Sequence, residues 1–408
     1  MSDGLIHLAI AAVLTIALSV LPAKAQKKYD PGASETEIKV GQTMPFSGPA
    51  SAYASIGKTE AAYFRMINDR GGINGRKINL IQYDDAYSPP KAVEQVRKLV
   101  ESDEVLLTFQ IVGTPSNAAV QKYLNSKKVP QLFAAASGSR FSDSKNFPWT
   151  MGYDPNNFVE GRIYGQYILK EHPNAKIGVL YQNDDFGKDC LNGIKAGLGD
   201  KATKMVVAEA AYEVTDPIVD SQVLRIKDAG ADLFFIAATP KQAAQAIKKT
   251  AEIGWRPVQI VDMKASSVGS VLKPAGLENA NGLISTSYGK EPLDPQWKDD
   301  SGVKRYLAFM EKYYPEGDKG SNFNTYAYGA AQLLVHVLEQ CGDDLTRENV
   351  MNQAASLKNV TSDLSLPGII INTSPTDYLL HKRLQMMRFN GERWEPFGPI
   401  LEVAGSAG

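Results

Sequence analysis

From residue 37 onward, short β-branched runs alternate with longer amphipathic runs, and the alternation occurs twice. Residues 37–44 (EIKVGQTM), 77–83 (KINLIQY), 105–112 and 129–135 read as strands, with helices at 56–70, 89–101 and 116–126 between them. Strands joined through helices pair in parallel, so the pattern predicts an α/β fold. A second series places strands at 176–181 (KIGVLY), 205–212, 232–238 (DLFFIAA) and 258–263, with helices at 187–198, 217–229 and 240–253. Pro217 and Pro240 stand where proline suits the first turn of a helix. After a strand at 282–288 the order changes to helices at 295–314, 323–340 and 347–357, then a hairpin, 384–389 and 393–396, around Asn390-Gly391. The expectation is two doubly wound parallel-sheet lobes joined by several crossings that form a hinge. Residues 35–155 plus 289–362 would form lobe 1 and residues 156–288 plus 363–405 lobe 2, with a cleft between them.

A chain of 408 residues exceeds what one compact core usually serves, which agrees with two lobes. A net charge of −1 and the lack of any run of five Lys/Arg leave no field that would attract nucleic acid. Residues 8–21, LAIAAVLTIALSVL, form an apolar run too short for a comfortable membrane span, ending in the A-x-A site Ala23-Lys24-Ala25. The first seven residues carry Asp3 and no Lys or Arg, unlike an ordinary signal peptide. Residues 1–25 are read as a cleavable signal peptide that directs export. Gln26 in place of a cysteine argues against a lipid anchor. Cys190 and Cys341, the only cysteines, leave a bridge and two free thiols equally open. Neither has a His or Cys at ligand spacing, so no metal site is expected.

Catalytic constellations are missing. Asp185-Phe186-Gly187 spells a kinase triplet without a glycine-rich loop, and Ser55-Ile56-Gly57-Lys58 and Ser142-Asp143-Ser144-Lys145 match S-x-x-K without the partner motifs. There is no P-loop and no G-x-G-x-x-G, so no nucleotide cofactor is implied. His172, His336 and His381 read as lone structural or surface residues. The pairs Asp84-Asp85 and Asp184-Asp185 read as solvated loop and helix-start residues. The expectation is a protein that is no enzyme and takes no cofactor.

The segments closing three first-lobe strands are small and rich in hydroxyls: residues 46–53 (FSGPASAY), 113–116 (GTPS) and 134–139 (AAASGS). In a doubly wound sheet, loops at the carboxyl ends of strands line one crevice. Gly, Pro and Ser also make ordinary turns, but Ala and Ser here leave room for a ligand. The helix that opens just after the turn Gly113–Ser116 offers free N–H groups to an anion, and Thr114 and Ser137 add neutral hydroxyls, a set suited to a carboxylate.

In combination and order, five stretches resemble the periplasmic binding proteins of ABC importers, specifically the branched-chain amino-acid (leucine/isoleucine/valine) group. They are IKVGQTMPFSGPASAYASIG, INDRGGINGRKINLIQYDDAYSPPKAVEQVRKLV, VPQLFAAASGS, KIGVLYQNDDFGKD and VGSVLKPAGLENANGLIS, within residues 38–397. The resemblance implies a type I fold, two doubly wound parallel-sheet lobes joined by a three-crossing hinge, a periplasmic location and a ligand trapped between the lobes. It places the carboxylate-holding hydroxyl at Thr114, a site carbonyl at Ala135, a further hydroxyl at Ser137 and a capping ring at Tyr53. A second-lobe tyrosine falls on Phe186, and another on Thr239. The family's ammonium-binding glutamate falls near Met263 and Lys264, where no acid stands; Asp262 or Asp154 could substitute. The family's disulfide would join Tyr87 and Gly113, neither of which is cysteine. The implied function is delivery of a small carboxylate, aromatic or otherwise apolar and without an α-amino group, to a membrane permease by a monomeric receptor. Amino-acid binding with a relocated acid, or a periplasmic ligand sensor, are the alternatives.

Overall fold

The computed structural model describes residues 27–402, and the expected signal segment lies outside them. Among the described residues no helix is long and apolar enough to cross a membrane. The first sheet contains β1 (Glu37–Met44), β2 (Lys77–Asp84), β3 (Leu107–Phe109), β4 (Gln131–Ala134) and β5 (Thr150–Gly152), all parallel, in the order β2-β1-β3-β4-β5. The second has β6 (Ile177–Gln182), β7 (Val206–Tyr212), β8 (Leu233–Ala237), β9 (Val258–Val261) and β10 (Ile284–Ser287), extended by antiparallel β11 (Arg383–Phe389) and β12 (Trp394–Glu402). Its order is β12-β11-β10-β9-β8-β6-β7. Each order reverses direction once, between β1 and β3 and between β6 and β8. Crevices open at the carboxyl ends of such neighbours.

The central strand β8, LFFIA, is buried throughout because helices cover both faces of the sheet. Phe234 and Ile236 point into one apolar cluster, and Leu233, Phe235 and Ala237 into another. On the second face α4 (Asn157–Glu171) and α5 (Asp185–Leu198) pack almost backbone to backbone. A Cβ on Gly193 would lie 2.3 Å from the Phe158 carbonyl and 3.0 Å from Gly161 Cα, and Gly165 and Gly197 meet in the same way. The two helices hold one side of the second lobe as a unit.

The chain passes between the sheets three times, near residues 153–156, 288–291 and 381–383. Each passage contributes one ring to a stack. Tyr288 lies 3.9 Å from His381 at 18°, and Tyr153 meets His381 edge-on at 5.0 Å. His381 is 2% exposed, and burial pushes its pKa down to about 3, so the ring is neutral.

Several details differ from the sequence reading. The last passage falls later than residue 363: Leu364, Ile371, Tyr378 and Leu380 pack in the first lobe's cluster with Phe309, while Leu384 and Met386 pack in the second lobe. Pro217 lies outside its helix, which runs over Asp220–Asp228. The expected 295–314 helix is a short turn, Pro295–Trp297, followed by a helix over Ser301–Tyr313 capped by Asp300. Asp85 is fully buried, not solvated, accepting from the Thr43 hydroxyl and the Tyr87 amide. Asp184 does cap α5. Cys190 and Cys341 are both free and buried, in different clusters.

Gly193→Ala tests the close helix contact. Alanine has the better helix propensity, yet the substitution should destabilise the protein by about 1–3 kcal/mol through overpacking. A denaturant midpoint at or above wild type would contradict the contact.

Candidate functional site

Between the lobes lies a cavity, partly open to solvent, and all nine sequence-predicted site residues line it. Tyr53, Thr114, Ala135 and Ser137 come from the first lobe, Phe186, Thr239, Met263 and Lys264 from the second, and Asp154 from the first crossing. Tyr53 and Thr114 follow the β1/β3 reversal, while Phe186 and Thr239 follow the β6/β8 reversal. The two crevices face each other.

The first-lobe wall is neutral. Helix α3 (Thr114–Ser126) starts on Gly113, whose φ of 100° and ψ of 132° turn the chain sharply out of β3. A Cβ on Gly113 would sit 2.5 Å from the Tyr87 ring. That ring occupies the space a Tyr87-to-Gly113 crosslink would need, so these two positions are neighbours held by packing. Gly113 N–H donates to the Ala135 carbonyl at 2.9 Å, tying the start of α3 to the end of β4 and using part of that carbonyl's capacity. The first-turn N–H groups of α3 have no intrahelical acceptor. Thr114 and Ser137 are each 4% exposed, and neither hydroxyl has a protein partner among the described residues. Tyr53 closes this wall against Phe323, with ring centroids 5.1 Å apart.

Charge enters from the second lobe. Lys264 Nζ donates to Glu160 Oε2, and to Asn157 Oδ1 at 2.7 Å. Glu160 also accepts from Met263 N–H, Tyr164 and Thr286, so four donors converge on one carboxylate. Burial alone would raise the Glu160 pKa, but Lys264 overrides it and holds the carboxyl low. Burial likewise works against Lys264, and Glu160 and Asp262 more than compensate, raising its pKa. The pair is therefore ionised and internally matched. Asp262 accepts from the amides of Ala238 and Lys264, which occupies its oxygens, and burial raises its pKa. The Thr239 hydroxyl donates to Gln242 at 2.6 Å and meets Tyr212 at 3.2 Å, so it presents little unused polarity. Asp154 differs from all of these: the Tyr326 hydroxyl stands beside its carboxyl, and burial, opposed by Lys264 and by that hydroxyl, raises its pKa to about 7.

The sequence reading missed the contributions of the second crossing, of the loop after β2 and of α9 (Asn322–Cys341). Tyr87, Tyr288, Phe323 and Tyr326 line the same cavity. Tyr87 follows a strand and could have been found from its place in the next loop; the others lie far along the chain and carry no local signal. Among the described residues no His/Cys/Asp/Glu group could hold a metal ion.

A receptor that encloses a small ligand between two α/β lobes is the class this architecture defines. A family profile described as periplasmic binding protein matches residues 37–392, and the chain belongs to that family, as a binding protein of the ABC-transporter type. The chain is 24% identical over 354 residues to "Leu/Ile/Val-binding protein homolog 1" of Brucella abortus, covering 83% of this chain and 91% of that one. Among solved structures it resembles a Thermus thermophilus branched-chain amino acid ABC transporter protein with bound valine, at a TM-score of 0.80 and 16% identity, covering 91% and 98% of the two chains. It also resembles a fatty acid ABC transporter substrate-binding protein from Thermomonospora curvata, at a TM-score of 0.75 and 22% identity, covering 92% and 95%.

Two predictions follow the electrostatics. Lys264→Met leaves Glu160 buried and unpaired, and should cost about 3–5 kcal/mol of stability, much of it recovered in the Lys264→Met/Glu160→Gln double variant. Additive losses in denaturant unfolding would refute the coupling. For Asp154, the folded pKa of about 7 lies above an unfolded value of about 3.9. Its stabilising contribution is complete below pH ~4 and lost as pH rises through about 7. Asp154→Asn should therefore lose less stability than wild type between pH 5 and 8; parallel Tm profiles would contradict this.

Proposed function

We propose that this protein is the extracytoplasmic receptor of an ABC importer for a small carboxylate with an aromatic or other apolar body and no α-amino group. The ligand's carboxylate lies at the first turn of α3, on Thr114 and Ser137, and its body lies between Tyr53 and Phe186. The receptor works as a monomer in the periplasm, exported by residues 1–25, and delivers the ligand to a membrane permease.

The observation that carries this reading is the Lys264–Glu160 pair. At the wall where an acid would receive an α-ammonium stands a cation, and the acid behind it is saturated by four donors. A ligand ammonium placed there would meet Lys264 with no unpaired carboxylate, a cost of several kcal/mol. The neutral first-lobe wall suits a carboxylate, since N–H and O–H donors at a helix start hold an anion without Arg or Lys. The likeness to a protein whose name specifies fatty acid supports a ligand with a carboxylate and no amine.

A second reading rests on Asp154. Its carboxyl, beside the Tyr326 hydroxyl and without an ion-pair partner among the described residues, lines the cavity and could receive the ammonium of an amino acid, as the relatives named for leucine, isoleucine and valine would suggest.

Calorimetry of the mature protein with matched ligands separates the two. Leucine against 4-methylpentanoate, and phenylalanine against 3-phenylpropanoate, differ only in the α-amino group. The amine-free acids should bind at least about 10-fold more tightly, and Thr114→Val should weaken them by about 1.5–3 kcal/mol. Tighter binding of the amino acids would establish the second reading, and unchanged affinity in the variant would remove Thr114 from the carboxylate site.

A further inference from the structure

The two lobes touch in this structure, and the contacts differ in kind. Val214, just past β7 in the second lobe, packs into the first-lobe cluster around Tyr53, and Asn322 Nδ2 donates to Ser266 Oγ at 3.2 Å. Both contacts are neutral. On the side of the first crossing the contact is charged and made by two pairs. Ser139 opens a single helical turn, Ser139–Ser142, in the loop after β4. Its N–H donates to Asp189 Oδ2 at 2.8 Å and its hydroxyl to the same oxygen at 3.1 Å. The next residue, Arg140, reaches Asp185 Oδ2 with Nη1 at 3.4 Å.

Asp185 and Asp189 are four residues apart, so they project from one face of α5. Asp185 also lies in the first turn of that helix, where the dipole favours an anion. Burial raises the Asp189 pKa and the two Ser139 bonds oppose the rise, so the carboxylate draws its compensation from across the lobe boundary. Arg140 is held from its own lobe. Its Nε donates to Gln121 Oε1 at 2.8 Å, its carbonyl accepts from Gln121 Nε2 at 3.3 Å, and its guanidinium lies 5.7 Å from the Phe147 ring. The free end of the guanidinium therefore faces the second lobe already oriented, which lowers the entropy cost of the contact.

These pairs adjoin the cavity without lining it. Ser137, two residues before Ser139, and Phe186, directly after Asp185, are both in its wall. The Ser137 carbonyl also accepts the Asn157 amide at 2.8 Å, at the start of α4. Because α4 and α5 are packed as one unit, the contact ties the first lobe to the element that carries Phe186 and Glu160.

We infer that Ser139 and Arg140, with Asp189 and Asp185, form a latch between the lobes that sets how much of the receptor is closed before a ligand arrives. The four are positioning residues, acting on affinity through the closed population. Apparent affinity scales with that population, so loss of the latch weakens every ligand by one factor, whatever its chemistry. The latch rests on the ligand lying between the lobes and is independent of the amine-free reading.

The test is a distance measurement on the ligand-free protein. Ser51 and Lys248, exposed on opposite lips of the cleft, are replaced by cysteines carrying spin labels, while Cys190 and Cys341 are buried and stay unlabelled. Pulsed electron spin resonance then gives the ratio of short (closed) to long (open) separations, and wild type should show both. Asp189→Ala should lower the closed-to-open ratio by about fivefold. Arg140→Met should lower it by about two- to threefold, an independent variant should the first fail to fold. Asp189→Asn keeps an acceptor for Ser139 and should restore part of the loss, and adding Ser139→Ala to Asp189→Ala should cost nothing more, since both changes break one contact. Ratios unchanged in both Asp189→Ala and Arg140→Met, or a wild type with the long separation alone, overturn the latch. Calorimetry with leucine and 4-methylpentanoate supplies the ligand arm: Asp189→Ala should weaken both by one factor, and unequal factors would make Asp189 a ligand contact and overturn its role in the latch. If neither acid binds wild type, the proposed ligand class falls while the distance result still decides the latch.

Discussion

The ion pair between Lys264 and Glu160 decides both the shape and the chemistry of the second-lobe wall. It joins the turn after β9 to the first turn of α4, and Glu160 at the same time receives Met263 N–H, Tyr164 and Thr286. Because α4 is packed against α5 through paired glycines, fixing α4 also fixes Phe186 at the start of α5. A buried ion pair contributes little net stability compared with an apolar replacement of the same shape. Its consequence here is chemical: the carboxylate is already satisfied, and the group left facing the cavity is a matched cation.

The opposite wall complements it. Gly113, the Ala135 carbonyl and the Tyr87 ring hold the start of α3 so that Thr114 and the free N–H groups face the cavity without a formal charge. On the proposed reading, the neutral donors on one side would hold an anion, and the charge-matched second wall would suit an acid with an apolar body. Asp154, with its raised pKa, is the residue that keeps an amino-acid ligand in contention.

Much of this was legible in the chain because it is local. The alternation of runs fixes parallel strands, parallel strands open crevices at their carboxyl ends, and the residues just past β1, β3, β4, β6 and β8 then share one cavity. Thr114, Ser137 and Phe186 sit at such ends, and the structure brings them together. What escaped is non-local. Tyr288 and Glu291 lie in a crossing whose direction depends on both lobes, and Tyr326 and Gly329 lie on a helix whose buried face serves the core and the cavity alike. Asp85 looked like a solvated acid because nothing near it in sequence reveals that Thr43 and the Tyr87 amide enclose it. The late return to the second sheet was hidden for a similar reason: residues 364–380 carry apolar side chains without helix or strand period, and only tertiary packing assigns them to the first lobe.

The most direct measurement is a crystal structure of the mature protein with 4-methylpentanoate or 3-phenylpropanoate bound. The account predicts ligand carboxylate oxygens within about 3 Å of Thr114 Oγ1 and of first-turn N–H groups of α3, with Lys264 still paired to Glu160. A carboxylate bound to Lys264 instead, with Thr114 unused, would contradict it.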